Sequence, residues 1–269
     1  MIMSAKSYLH LKDSIVILLV ISSIYVNMTS KKAGSFVMTE NYYKPEMLAD
    51  TDWLLENLDK PNIRIVDCDP PDSFFRAHIP NSVNVGSNTF VKSASSSLHV
   101  MDANEIEEFM SNLGIDSDTT VICYDGRNSL TATRFWWVLN YYGHTNSKVL
   151  NGGWVKWISE NKPVSISPNK VDKTKFVAKK DDSLIADHNR VLAAINSDTD
   201  VIWDARTIEE YNGQNSRGNK NTGHVPSCVY TEWLDLIDSS NMSCFKSPSE
   251  LDKIFESIGV TREKQVFTY

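Results

Sequence analysis

The sequence predicts an α/β fold of two tandem units, each a mostly parallel sheet flanked by helices, with the second copy incomplete. Three observations predict it. Short β-branched runs alternate with segments of helical apolar spacing, the signature of parallel strands covered by helices on both faces. A set of motifs recurs in the same order in both halves of the chain. A stretch rich in Pro and Lys, Glu160 to Lys180, stands between them and reads as a linker.

The repeat sets the element order, because self-similarity at fixed spacing marks a duplicated unit. Arg64-Ile65-Val66-Asp67 is an apolar strand ending in aspartate, and Val201-Ile202-Trp203-Asp204 repeats the pattern. His78-Ile79-Pro80 follows the first aspartate by eleven residues, and His224-Val225-Pro226 follows the second by twenty. The interval from Gly114 to Tyr124 equals that from Gly259 to Tyr269, ten residues in each case. Val121-Ile122-Cys123-Tyr124 therefore corresponds to Val266-Phe267-Thr268-Tyr269.

In the first copy, helical spacing is expected over 45–58, 103–113 and 130–142, the last with the aromatic bulk of Phe135, Trp136, Trp137, Tyr141 and Tyr142. A strand is expected over 148–150. Asn151-Gly152-Gly153 then makes a turn whose glycines allow positive φ, and a helix begins near Trp154. The second copy opens with a helix over 183–195. The expected organisation is an extension over 1–36, a first domain over 37–160, a linker over 161–181 and a second domain over 182–269.

Bulk properties narrow the function. Apolar residues make up 41% of the chain and charged residues 23%, values of a globular protein. With 27 basic against 34 acidic residues the net charge is -7, which argues against a nucleic-acid partner, since phosphate binding needs Lys/Arg clusters. The four cysteines, Cys68, Cys123, Cys228 and Cys244, form no CxxC pair, so neither a zinc knuckle nor a disulfide framework is indicated. Near the N-terminus, the apolar run Ile15 to Val26 behind Lys6 and Lys12 reads three ways: a signal peptide, a mitochondrial presequence lacking arginine, or a disordered extension. The run is too short for a comfortable membrane span.

Ligands of open parallel sheets bind beyond the C-terminal strand ends. The loop Asp125-Gly126-Arg127-Asn128-Ser129 is such a place, and the backbone N–H groups at the start of the following helix converge on its first position. A cysteine there would be an activated nucleophile. Asp125 is not one, and it cannot carry sulfur. A Cys-x5-Arg phosphatase loop built on Cys123 would need arginine at 129, where Ser129 stands. Cys123 is expected to be an inert strand residue.

The Val-Ile-Cys-Tyr-Asp-Gly strand and loop, Arg134-Phe135-Trp136-Trp137, the Val149 to Gly153 turn with Trp157, and both His-hydrophobic-Pro steps resemble the two-domain sulfurtransferases of the rhodanese superfamily. The resemblance runs from about residue 45 to 269. It implies a catalytically silent first domain, with Asp125 at the inactive loop position. It places the working cysteine immediately after Tyr269, outside the sequence, so the chain is expected to be inactive in sulfur transfer. The second copy would then lack about 35 residues, its last strand uncovered on one face and unpaired on one edge.

The implied chemistry moves sulfane sulfur from thiosulfate or 3-mercaptopyruvate to cyanide or a thiol through a cysteine persulfide. No metal or organic cofactor is implied; a thioredoxin-type reductant is a possible partner, and no stable membrane association is expected. The family location is mitochondrial or cytoplasmic, with secretion as the alternative if Ile15 to Val26 is a signal peptide. The resemblance offers His99, Arg217 and Arg206 as substrate-binding candidates. His99 leans toward 3-mercaptopyruvate and reads otherwise as an exposed loop histidine; Arg206 reads otherwise as a structural ion-pair partner. Glu210, before Tyr211, stands where the family places a donor-binding arginine, a charge reversal. The alternative function is a non-catalytic rhodanese-like binding or regulatory module.

Overall fold

Two neighbouring runs of β-branched residues, β2 (Ile63–Asp67) and β4 (Thr120–Tyr124), pair in parallel, with Ile63 opposite Thr120 and Asp67 opposite Tyr124. The structure, a computed structural model, describes residues 42–87 and 100–269. His99 and the extension 1–36 lie outside the described residues. Strand β5 (Ser147–Leu150) joins β4, β1 (Leu48–Ala49) joins β5, and β3 (Val83–Asn84) joins β2. The order is β1-β5-β4-β2-β3, all parallel, as the α/β reading requires.

Helices α1 (Thr51–Glu56), α2 (Pro71–Arg76), α3 (Ala103–Asn112), α4 (Leu130–Tyr141) and α5 (Gly153–Ser159) complete this N-terminal unit, which spans Glu46–Leu184 and the returning segment Asp238–Phe245. Asp50 caps α1 by accepting the Asp52 N–H, and Asp102 with Glu105 forms a capping box on α3. Leu54, Ile65, Ile79, Ile122, Leu150 and Trp157 pack into one buried cluster on a sheet face. Burying apolar area at about 25 cal/mol per Å² makes such a cluster the main stabilising element.

Two expectations change here. The helix expected over 45–58 is divided: Pro45–Met47 is a 3₁₀ turn, and Leu48–Ala49 leaves it to pair with Val149 and Leu150. The open edge of β5 supplies backbone partners that local helix propensity cannot match. The segment 161–181 is no loose linker but lies on the N-terminal unit. Ser165 exchanges two 2.9 Å backbone bonds with His78, Thr174 N–H donates to Ser111 O at 3.0 Å, Lys179 N–H donates to Tyr142 O, and Phe176 is buried.

The C-terminal unit comprises Ile185–Ile237 and Lys246–Tyr269, with residues 42–45, among the described residues. Its strands are β6 (Asp200–Asp204) and β7 (Val229–Tyr230). Two short strands follow in the chain, β8 (Ile237–Asp238) and β9 (Cys244–Phe245), before β10 (Gln265–Thr268). The sheet order is β10-β6-β7, parallel throughout. Gln265 faces Asp200 and Thr268 faces Trp203, the register that β4 keeps on β2. Among the described residues β10 pairs with β6 alone. Helices α6 (His188–Ala194), α7 (Ile208–Tyr211) and α8 (Pro248–Ser257) accompany it. The helix expected from 183 starts five residues later, because the Asp187 side chain accepts the Arg190 N–H and fixes the cap. No helix among the described residues is long and apolar enough to cross a membrane.

Candidate functional site

At the end of β4 the chain turns through Asn128 and Ser129, both left-handed at φ 58° and 67°, into α4. The turn aims backbone N–H groups inward, and the Asp125 carboxylate fills the space they enclose. Its Oδ1 accepts from the N–H of Arg127 at 2.8 Å and Ser129 at 2.9 Å. Its Oδ2 accepts from the N–H of Thr131 and of Ala132, each at 2.7 Å, and from Thr131 Oγ1 at 2.9 Å. Four N–H groups and one hydroxyl around a buried carboxylate make an anion cradle at a helix start. The expected convergence of N–H groups is present, and the loop's own side chain occupies it.

Two more carboxyls share these strand ends. Asp69 Oδ2 accepts the Gly126 N–H at 2.7 Å, and Asp67 Oδ1 accepts the Asp69 N–H at 2.8 Å. Burial pushes Asp67 up to about 7, against the pull of Tyr124. Burial and the charge of Asp125 push Asp69 up to about 6, with Arg127 opposing. Neither pairing was evident from sequence, since three aspartates scattered over 67–125 carry no local signal.

The same frame recurs in the C-terminal unit, residue for residue. The Tyr124 hydroxyl accepts the Ile79 N–H at 3.1 Å, and the Tyr269 hydroxyl accepts the Val225 N–H at 2.8 Å. His78 stacks on Phe74 at 3.8 Å with Nδ1 2.7 Å from Phe74 O; His224 stacks on Tyr211 at 4.0 Å with Nδ1 2.9 Å from Tyr211 O. Each histidine thus locks its strand return onto the preceding helix. The His-hydrophobic-Pro steps are structural latches.

Beside this frame, Arg206 is buried and fully engaged with Asp204, Nε to Oδ1 at 2.9 Å and Nη2 to Oδ2 at 2.6 Å. Its Nη2 also donates to Gly223 O at 2.9 Å, and the guanidinium lies 4.9 Å over the Tyr269 ring. Burial works against its charge, but the Asp204 bonds outweigh that and raise its pKa. Arg206 is therefore placed as an ion-pair partner. Arg217 is half-exposed, and its Nε lies 3.0 Å from Oε2 of Glu210, which is buried. The reversed charge at 210 meets Arg217, one of the two arginines expected to bind a donor anion, and offsets it. Burial, then the charges of Asp235, Glu209 and Glu210, raises the Glu232 carboxyl, so this region is acidic overall.

None of the four cysteines is a ready nucleophile. Burial drives Cys68 and Cys123 well above the ordinary thiol range, and nearby acids add to it. Cys123 is the buried strand residue expected. Burial also raises Cys244, and it pushes Cys228 up to about 11, where Tyr269 Oη stands 3.5 Å from its sulfur. No group of His, Cys, Asp and Glu among the described residues is arranged to hold a metal ion.

Residues 50–160, which hold parallel strands β2 to β5 and the anion cradle, match the rhodanese-like domain model. The chain carries a rhodanese-like domain there. Over a longer span it is 29% identical to the sulfur carrier protein TtuD of Thermus thermophilus, across 244 residues that cover 85% of this chain and 83% of the relative. It is equally 29% identical to a putative thiosulfate sulfurtransferase of Mycolicibacterium smegmatis, covering 84% and 83%. The crystal structure of SseA from Escherichia coli, described with the rhodanese fold of 3-mercaptopyruvate sulfotransferases, superposes with a TM-score of 0.73 at 26% identity, over 82% of this chain and 87% of that one. The superfamily expected from the motifs is supported, and homologues of the chain are sulfurtransferases.

Proposed function

We propose that the chain serves sulfane-sulfur transfer. The N-terminal unit is a closed, non-catalytic copy, and the reactive cysteine belongs at the loop that opens after β10, the position Asp125 holds after β4. The observation that carries this reading is the cradle itself: four N–H groups and a hydroxyl directed at one anionic centre. In such a cradle a thiolate is stabilised, attacks the sulfane sulfur of thiosulfate, and breaks its S–S bond. Sulfite leaves with the bonding pair and the enzyme keeps a persulfide. Attack of cyanide or a thiolate on the outer sulfur then returns the enzyme thiolate and releases thiocyanate or a new persulfide. With 3-mercaptopyruvate as donor, the C–S bond breaks instead, and the carbon fragment leaves as an enolate that takes up a proton.

Arg217 is the donor-facing cation in this reading, its charge moderated by Glu210. Arg206 holds Asp204 and the Tyr269 ring in place beneath the donor site. His99 remains the candidate for orienting the carbonyl side of 3-mercaptopyruvate. The competing reading is a non-catalytic binding module, favoured by the filled Asp125 cradle and by four thiols that stay protonated near neutral pH.

The test maps persulfide by mass spectrometry on the natural gene product after exposure to thiosulfate or 3-mercaptopyruvate. Sulfur is expected on a cysteine C-terminal to Tyr269, with thiocyanate formed when cyanide is added. Residues 1–269 alone are expected to give no thiocyanate above a heat-killed control. Persulfide on any of the four cysteines discussed, or on none, refutes the proposal and leaves the binding module.

A further inference from the structure

Arg64 points to a second site, at the end of the N-terminal sheet opposite the Asp125 loop. The residue lies at the start of β2, partly buried, and its guanidinium packs against Gly114, where an added Cβ would stand 2.8 Å from Nη2. Gly114 sits at φ 69°, so a left-handed turn and the lack of a side chain together make room for the cation. Yet Arg64 Nε is buried without a hydrogen-bond partner. The Asp116 carboxylate supplies an attractive charge, but a buried guanidinium N–H left without an acceptor is costly, and here the cost falls beside an open space.

That space is a cavity of about 350 Å³ lined by Arg64, Lys60 and Lys170, with Asp59 and Asp172 as its acidic groups. Asp59 Oδ1 already accepts from Asn81 Nδ2 at 3.0 Å. Neither lysine makes an ion pair among the described residues, so three cations face the volume against two carboxylates. The volume exceeds what an inorganic ion fills, and Leu58, Pro61 and Val171 give part of its wall an apolar surface.

We propose that this cavity binds a small organic oxyanion, a phosphate or carboxylate on a compact carbon body, whose charged end docks on Arg64 between the two lysines. A guanidinium edge receives either group through paired charge-assisted bonds. The proposal is independent of sulfur transfer, because it uses neither the Asp125 loop nor the C-terminal unit.

Calorimetric titration of the full chain at constant ionic strength tests it, with inorganic phosphate, glycerol 3-phosphate and lactate as separate probes and chloride as the control. Saturable binding of glycerol 3-phosphate or lactate is expected, and which of them binds identifies the charged group. Arg64→Leu is expected to weaken that binding by about tenfold or more. Should that variant not fold, the double variant Lys60→Ala/Lys170→Ala, at two exposed positions, is expected to weaken it severalfold, while Lys253→Ala leaves it unchanged. No saturable binding of either organic probe overturns the proposal. So does an affinity that survives in Arg64→Leu or in the double variant.

Discussion

Glu210 holds Arg217: a buried carboxylate oxygen lies 3.0 Å from the Nε of a half-exposed guanidinium. The pair offsets charge where the proposed function needs a cation. Glu210→Gln keeps the shape and removes the negative charge. Thiosulfate is then expected to bind about three- to tenfold more tightly at low ionic strength, an advantage that fades as salt is added. Calorimetry on both proteins checks this, and equal affinities would remove Arg217 from the donor site.

Asp125 is a structural keystone of its loop. Asp125→Ala leaves four N–H groups and the Thr131 hydroxyl without their acceptor, so a loss of about 2–4 kcal/mol is expected. Asp125→Asn retains one acceptor oxygen and should lose less. Urea unfolding followed by tryptophan fluorescence, carried out in a Trp203→Phe background, reports chiefly on the N-terminal unit, where Trp136, Trp137 and Trp157 are buried. A change below about 0.5 kcal/mol in the alanine variant would contradict the cradle.

Asp67 gives the N-terminal unit a pH dependence of definite sign. Its folded pKa, about 7, lies above the ordinary carboxyl value of 3.8, so the folded state holds the extra proton between those limits. Stability therefore falls as pH rises from about 4 to about 7. Each unit of displacement corresponds to about 1.4 kcal/mol. Asp67→Asn should flatten this part of the curve. Unfolding midpoints measured across the window that run parallel in the two proteins would rule the assignment out.

The cysteines should be unreactive in the native protein. At pH 7.5 iodoacetamide is expected to modify Cys228 slowly, ahead of the others, and Cys68 and Cys123 only after unfolding. The Cys228 rate should climb about tenfold per pH unit toward its pKa of about 11. Peptide mapping after timed quenching measures it. Any of the four reacting faster than free cysteine at neutral pH would reopen the search for a nucleophile.

The duplication was legible in the sequence because spacing survives divergence. Asp67 and Asp204, His78 and His224, and Tyr124 and Tyr269 align between the copies; the histidine and tyrosine pairs prove to make corresponding bonds, whereas Asp204 holds an Arg206 ion pair that Asp67 lacks. The two-residue strand Leu48–Ala49 was not legible, since its backbone is ordered by the distant edge at Val149 and Leu150. Composition likewise suggested a free linker over 161–181, where a single buried aromatic, Phe176, and backbone bonds to His78, Ser111 and Tyr142 tie the chain down. For Arg206 the sequence left two roles open, and the structure shows its guanidinium buried and bonded to Asp204 and Gly223. Arg64 escaped notice altogether: a lone arginine in a strand carries no signal until Gly114 and the cavity appear beside it.

The Asp125 carboxylate has one more consequence. Because it is joined to the loop it fills, it competes for those N–H groups as an intramolecular ligand, at an effective concentration that free metabolites do not reach. Sulfite, thiosulfate and similar solutes would have to evict a resident that never diffuses away. The Asp125 loop is thereby insulated from the surrounding anion pool, and a titration with such solutes should count a single rhodanese-type site per chain at most.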